Sequence, residues 1–266
     1  MNPTVNEIIA TVNRRFNPNL QYDFDNSGWQ VKLTDSENDE CTGVMICVDV
    51  TTSILEEAIE KGCNLIISHH PLIFRSLKKI IPEDRVGRCV VESIRKGISI
   101  FSCHTPCDVA SEGVSFAMAQ KLNLKDVKIL SENSMTGTGL GVVGNLPEPM
   151  ELTRFIETVK KTFGSSMARC SGMTDPGFKV SRIALGGGAC SDLIPDAIEA
   201  GADVFITSDV KHNLFLDFNH KIILIDLGHY ETEECTKEIF YDLLTKKFPN
   251  FALYCSQTEK NPITYL

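Results

Sequence analysis

Six histidines stand in this chain of 266 residues, and four of them directly follow apolar runs that read as buried strands. His69 and His70 end NLIISHH, His104 follows ISIFSC, and His229 follows IILIDLG. Parallel strands of an α/β protein share one carboxyl edge, and that edge is where such folds build their sites. One histidine there is commonly structural, whereas four accompanied by carboxylates point to metal chemistry. Asp108 lies four residues beyond His104 in HTPCD, and Glu233 lies four residues beyond His229 in HYETE. An i, i+4 pair shares a helix face, here at the start of a helix whose buried side is marked by Cys235, Ile239, Leu243 and Leu244.

His69 and His70 are adjacent, so on a regular strand their rings would point to opposite faces. Leading into Pro71 the chain leaves the pleat, and each imidazole can then reach one of two neighbouring ions. Imidazole with carboxylate suits zinc, iron or manganese, whereas calcium takes oxygen donors. The residues therefore predict two divalent ions per chain, held by His69, His70, Asp108, His229 and Glu233, with Glu233 as candidate bridge. Ions about 3.5–4 Å apart activate water and clamp a leaving oxygen. His104 is either a donor that orients a ligand or a catalytic proton carrier beside the ions. His212 in SDVKHN is read as substrate-side, and His220 in DFNHK as a surface residue.

An internal duplication supplies the elements that position these residues. Ala58, Ile59, Glu60, Gly62 and Ile67 recur as Ala197, Ile198, Glu199, Gly201 and Ile206 at one constant offset. The apolar run 44–48 precedes the first helix as 183–185 precedes the second, so each copy reads strand, helix, strand. In the first copy Ile54, Leu55, Ala58 and Ile59 mark the helix face, Gly62 is the candidate cap, and 65–67 form a short buried strand. A second helix, marked by Val86, Cys89, Val90 and Ile94, leads to the strand in 98–104, and 222–229 is its later counterpart. The expected class is α/β, with two related α/β lobes. The first spans 1–128, completed by roughly 225–266, and the second spans 129–224.

Three glycine-bearing segments remain. GLGVVG (139–144) matches GxGxxG, but NLPEP follows where a helix should begin, so the segment reads as a strand and turn and no dinucleotide is implied. LTRFIETVKKTFG after it reads as a helix. Gly186, Gly187 and Gly188 form either an anion-binding turn at a helix start or a plain tight turn, and Asp25 to Gly28 read as a capping turn.

The formal net charge of −9 disfavours a broad nucleic-acid-binding surface. The first residues lack the apolar core of a secretory signal, and no stretch approaches the roughly 18 apolar residues of a membrane span. A cytoplasmic protein is expected, with no membrane partner and with its ten cysteines reduced and mostly buried. Cys103 and Cys107 have the wrong spacing for a zinc knuckle.

DNSGWQV, ISHHPLIF, HTPCD, GLGVVGNLPEP, the GGG turn, TSDVKHN and DLGHYETE occur in the order seen in the Nif-three-like family, which the chain resembles over nearly its whole length. Bacterial members of that family are commonly named GTP cyclohydrolase 1 type 2 homologues. The resemblance implies a Nif-three-like fold and a two-metal site at His69, His70, Asp108, His229 and Glu233, with His104 beside it. It also implies a toroidal homohexamer whose sites face an internal cavity. The segment between Lys128 and Lys179 is too short for the extra domain some members carry. Ser208, Asn213, Pro106 and Cys107 depart from the family pattern without removing a ligand.

The leading functional expectation is a metal-dependent, cyclohydrolase-like hydrolase acting on a small nucleotide-like substrate. The name of the family suggests GTP, a choice that the spacing of these residues does not make. The alternative is a non-catalytic metal-binding ring, acting as an adaptor or metal-loading protein. A DNA-encircling ring is disfavoured by the acidic charge.

Overall fold

The computed structural model describes residues 2–33, 39–134, 137–171, 175 and 177–266. In chain order its strands are β1 (Gly28–Val31), β2 (Val44–Cys47), β3 (Leu65–Ser68), β4 (Ser99–Ser102), β5 (Lys125–Glu132), β6 (Gly139–Glu151), β7 (Arg169–Cys170), β8 (Lys179–Leu185), β9 (Val204–Thr207), β10 (Ile223–Asp226) and β11 (Leu253–Cys255). The helices are α1 (Val5–Arg15), α2 (Thr52–Glu60), α3 (Arg85–Lys96), α4 (Thr105–Asp108), α5 (Val114–Lys121), α6 (Leu152–Thr162), α7 (Ile194–Glu199), α8 (His212–Phe218), α9 (His229–Glu233) and α10 (Cys235–Lys247). Two compact units result, Met1–Cys107 with Thr236–Lys260, and Asp108–Cys235 with Asn261–Leu266. The sequence placed its divisions at 128/129 and near 225. Contacts separate the units at the end of α4 and at the start of α10. No helix among the described residues is long and apolar enough to cross a membrane.

The first unit carries a sheet in the order β1-β4-β3-β2-β11. β4, β3, β2 and β11 run parallel, and β1 closes the edge antiparallel to β4. Every residue of β2, β3 and β4 is buried, as parallel strands covered on both faces require. Ile54, Leu55 and Ala58 of α2 and Cys89 and Val90 of α3 pack with Met45, Ile66 and Ile100 in one core. Thr51 caps the start of α2 by accepting from the Ile54 amide, and Gly62, at φ +68°, ends it in a left-handed turn.

Two expected core positions lie outside that core: Ile59 is 41% exposed and Ile94 52% exposed. Ile59 sits one residue past Ala58, about 100° round the helix, which carries it off the buried stripe. In α3 the buried position of the last turn belongs to Ser93, whose hydroxyl donates to the Val90 carbonyl.

The second unit carries a sheet in the order β5-β6-β8-β9-β10-β7, with β8, β9 and β10 parallel. β5, β6 and β7 join it antiparallel. Both units therefore contain a parallel strand–helix–strand, a third parallel strand beside it, and an antiparallel edge strand from earlier in the chain. β1 lies on β4 as β7 lies on β10. GLGVVG lies inside β6, which runs on through NLPEP, so no helix opens at its last glycine. LTRFIETVKKT forms α6 and buries Leu152, Phe155 and Val159.

One carboxylate secures the late chain segment to the first sheet. Glu57 of α2 is buried and accepts from the Ser256 hydroxyl, the Gln257 amide, and the amide and hydroxyl of Thr258. Burial pushes the Glu57 carboxyl up, but the hydrogen bonds outweigh it and hold the group below its ordinary value of 4.5. A carboxylate depressed in the folded state adds stability above its unfolded pKa and loses it as pH falls through the folded value. Glu57→Gln is expected to cost about 2–3 kcal/mol at pH 7. In urea denaturation the gap to wild type should narrow steadily below about pH 4.5.

Candidate metal centre

β3 ends at Ser68, whose hydroxyl donates to the His70 carbonyl at 2.8 Å. Beyond it the backbone stays tied to the end of β2: the His69 amide donates to Cys47 at 3.1 Å and the His70 amide to Val48 at 2.9 Å. The chain has left the pleat, and the two rings stand on one side with centroids 5.0 Å apart, tilted by 42°. His104, just past β4, completes the group at 5.2 Å from His69 and 5.4 Å from His70. One nitrogen from each of these three imidazoles lies within 4.8 Å of the others, a group that could hold a metal ion.

What prepares these rings is the partner of each Nδ1. His69 Nδ1 lies 3.2 Å from the Cys103 carbonyl, His70 Nδ1 3.1 Å from Asp49 Oδ1, and His104 Nδ1 2.8 Å from Asp25 Oδ1. A carbonyl or ionised carboxylate can only accept, so each Nδ1 carries the proton and each neutral ring keeps its lone pair on Nε2. That is the tautomer a metal ligand needs. Asp25 also accepts from the hydroxyls of Ser27 and Thr105 and from the Thr105 amide. Burial pushes the Asp25 carboxyl up, but the bonds from His104, Thr105 and Ser27 prevail and hold it well below the usual carboxylate range.

The second unit repeats the device. Asp209 follows β9 with φ +54°, a left-handed backbone that aspartate tolerates better than most residues. Its Oδ2 lies 2.5 Å from His229 Nδ1. On the other side of the ring, His229 Nε2 stands 3.0 Å from Glu233 Oε2, one turn along α9. A ring flanked by carboxylates at both nitrogens calls for positive charge on its Nε2 side, supplied by a second proton or a metal cation. The spacing expected from i, i+4 is therefore present, although α9 stops at Glu233 and the apolar face belongs to a separate helix, α10. That helix buries Phe240 with Cys235 and Leu244. Asp108 ends α4. With Glu233 it bears on Cys190, whose thiol burial pushes far up and both carboxylates push further. His212 and His220 are exposed.

Sequence reasoning left Asp49 and Asp209 unassigned and gave Asp25 only a capping role. All three stand just past a strand end or in a turn leading into a strand, a position that does not by itself name the ring each one meets. The glycine turn also gains a definite role. A side-chain carbon at Gly186 would lie 2.6 Å from Cys190 Cβ, one at Gly187 2.4 Å from Val114 Cγ1, and one at Gly188 2.1 Å from Glu233 Oε1. The Gly186 amide donates to Ile206 and the Gly188 amide to the Thr232 hydroxyl. The turn is thus a close-packed seat for Glu233.

Gly188 has φ +64°, so an alanine there meets both backbone strain and the Glu233 carboxylate. Gly188→Ala is expected to lower stability by about 1–3 kcal/mol in urea denaturation. A crystal structure of the variant should show the Glu233 carboxylate turned away from His229.

Residues 3–262 match the family described as Duf34/NIF3 (NGG1p interacting factor 3). A Lactococcus lactis protein named GTP cyclohydrolase 1 type 2 homolog is 34% identical over 234 residues, 85% of this chain and 86% of that one. A Clostridium acetobutylicum protein of the same name is 32% identical over 217 residues, 80% of this chain and 79% of that one. Among solved structures, a hypothetical protein of Staphylococcus aureus superposes with a TM-score of 0.90 at 26% identity, covering 100% of both chains. A Bacillus cereus protein related to NIF3 has the same fold, with a TM-score of 0.89 at 22% identity and 100% coverage of both chains. With the family model matched over 3–262 and relatives above 30% identity over most of its length, this chain belongs to the DUF34/NIF3 family.

Proposed function

We propose that the chain is a metal-dependent hydrolase of a small nucleotide-like substrate, with two divalent ions held by His69, His70, Asp108, His229 and Glu233. The single observation that carries this is the fixing of every strand-end imidazole at Nδ1, by Cys103, Asp49, Asp25 and Asp209. The donor set fits zinc, iron or manganese. When bound, such a pair supplies Lewis acidity and lowers the pKa of water.

The chain's own residues would do the rest. Asp25 keeps the proton of His104 on Nδ1, so Nε2 can take a proton from attacking water and return it to the leaving group. Gly188 gives Glu233 room beside His229. The shared name of the relatives, GTP cyclohydrolase 1 type 2 homolog, supports a nucleotide-like substrate. In this reading the protein works in the cytoplasm, as a toroidal homohexamer with its sites facing an internal cavity.

Purified protein should contain roughly two ions per chain by elemental analysis, falling to one or fewer in His69→Ala and Glu233→Ala. His104→Gln should keep its metal yet lose about 100- to 10,000-fold in turnover. Assays with iron, zinc or manganese against GTP, cyclic nucleotides and phosphoesters would identify the substrate. Full metal occupancy without turnover of any of them would count against hydrolysis.

A further inference from the structure

His70 depends on the loop after β2 twice over. Its amide donates to the Val48 carbonyl, and its ring is oriented by the Asp49 carboxylate. This loop has its own anchor far along the chain. Glu259 Oε1 accepts from the Val48 amide at 2.9 Å and the Asp49 amide at 2.8 Å, and Oε2 lies 3.4 Å from Lys237 Nζ. The Glu259 side chain is 3% exposed and that of Lys237 11%. A carboxyl group withdrawn this far from water needs fixed partners, and this one has two amides and an ammonium. The Ser256 hydroxyl accepts from the Glu259 amide, and Glu57 grips 256–258, so the segment that presents Glu259 is itself held.

We infer that Glu259 is a positioning residue for the metal centre: it clamps the Val48–Asp49 amides and so sets the direction in which Asp49 points His70 Nε2. Glu259 touches no proposed ligand. Removing it frees the loop, so the His70 ring loses both its fixed tautomer and its fixed angle. The effect on metal binding rests on the site proposed above, whereas the effect on the ring does not.

The test compares wild type, Glu259→Ala, which removes the acceptor of both amides, and a control, Val159→Ala, which loosens the buried core of the second unit. Two quantities are read. The first is cobalt(II) affinity from visible absorption. The second is the ring-nitrogen NMR signature of His70 in metal-free protein at pH 8. In E259A, affinity for one cobalt ion should fall about 10- to 100-fold. The His70 signal should move from the Nδ1-protonated pattern to a tautomer mixture, and V159A should change neither. Unaltered cobalt affinity and an unaltered His70 signature in folded E259A would overturn the assignment. Should wild type bind no cobalt, the metal reading fails, and the ring signature alone decides the role of Glu259. If E259A does not accumulate, Lys237→Gln, which removes the counter-charge, should shift both quantities in the same direction by several-fold, and no shift would overturn the inference.

Discussion

An imidazole can ligate a metal through one nitrogen only if the other nitrogen holds the proton, and a proton stays where an acceptor keeps it. In this protein the acceptors are three aspartates and one peptide carbonyl, each on the Nδ1 side of a strand-end histidine. The carboxylates also fix each ring's angle, so the direction of Nε2 is set by the fold before any ion arrives. Asp25 illustrates what such an acceptor requires. Its donors are numerous enough to outweigh the cost of burial and keep it ionised.

The duplicated architecture makes this arrangement possible twice. In each unit, parallel strands end at one edge, and the chain leaves that edge carrying polar residues: Asp49, His69 and His104 from the first sheet, Asp209 and His229 from the second. The supporting contacts are long-range. Asp25 lies 79 positions before His104, and Glu259 lies 211 positions after Val48. Cooperative folding of each unit is therefore a condition of the site, because no short segment contains both a ring and the group that orients it.

Much of this was legible in the chain. The apolar runs before His69, His104 and His229 located three parallel strands, the repeat of AIE-x-G announced two related lobes, and four-residue spacing paired His229 with Glu233. These signals are local, since periodicity and spacing survive in one dimension. The aspartate partners were not legible, because which carboxylate meets a ring's second nitrogen is settled by strand order. Ile59 and Ile94 show the same limit in the core, where apolar periodicity marked a wider face than the helices bury. The glycine turn stayed ambiguous because its occupant, Glu233, is distant in sequence.

Anomalous diffraction from crystals grown with zinc or manganese tests the account most directly. It predicts two peaks about 3.5–4 Å apart, with His69, His70 and His229 bound through Nε2 while each Nδ1 keeps the acceptor described above. A single peak, ligation through Nδ1, or rings turned away from Asp49 and Asp209 would contradict it.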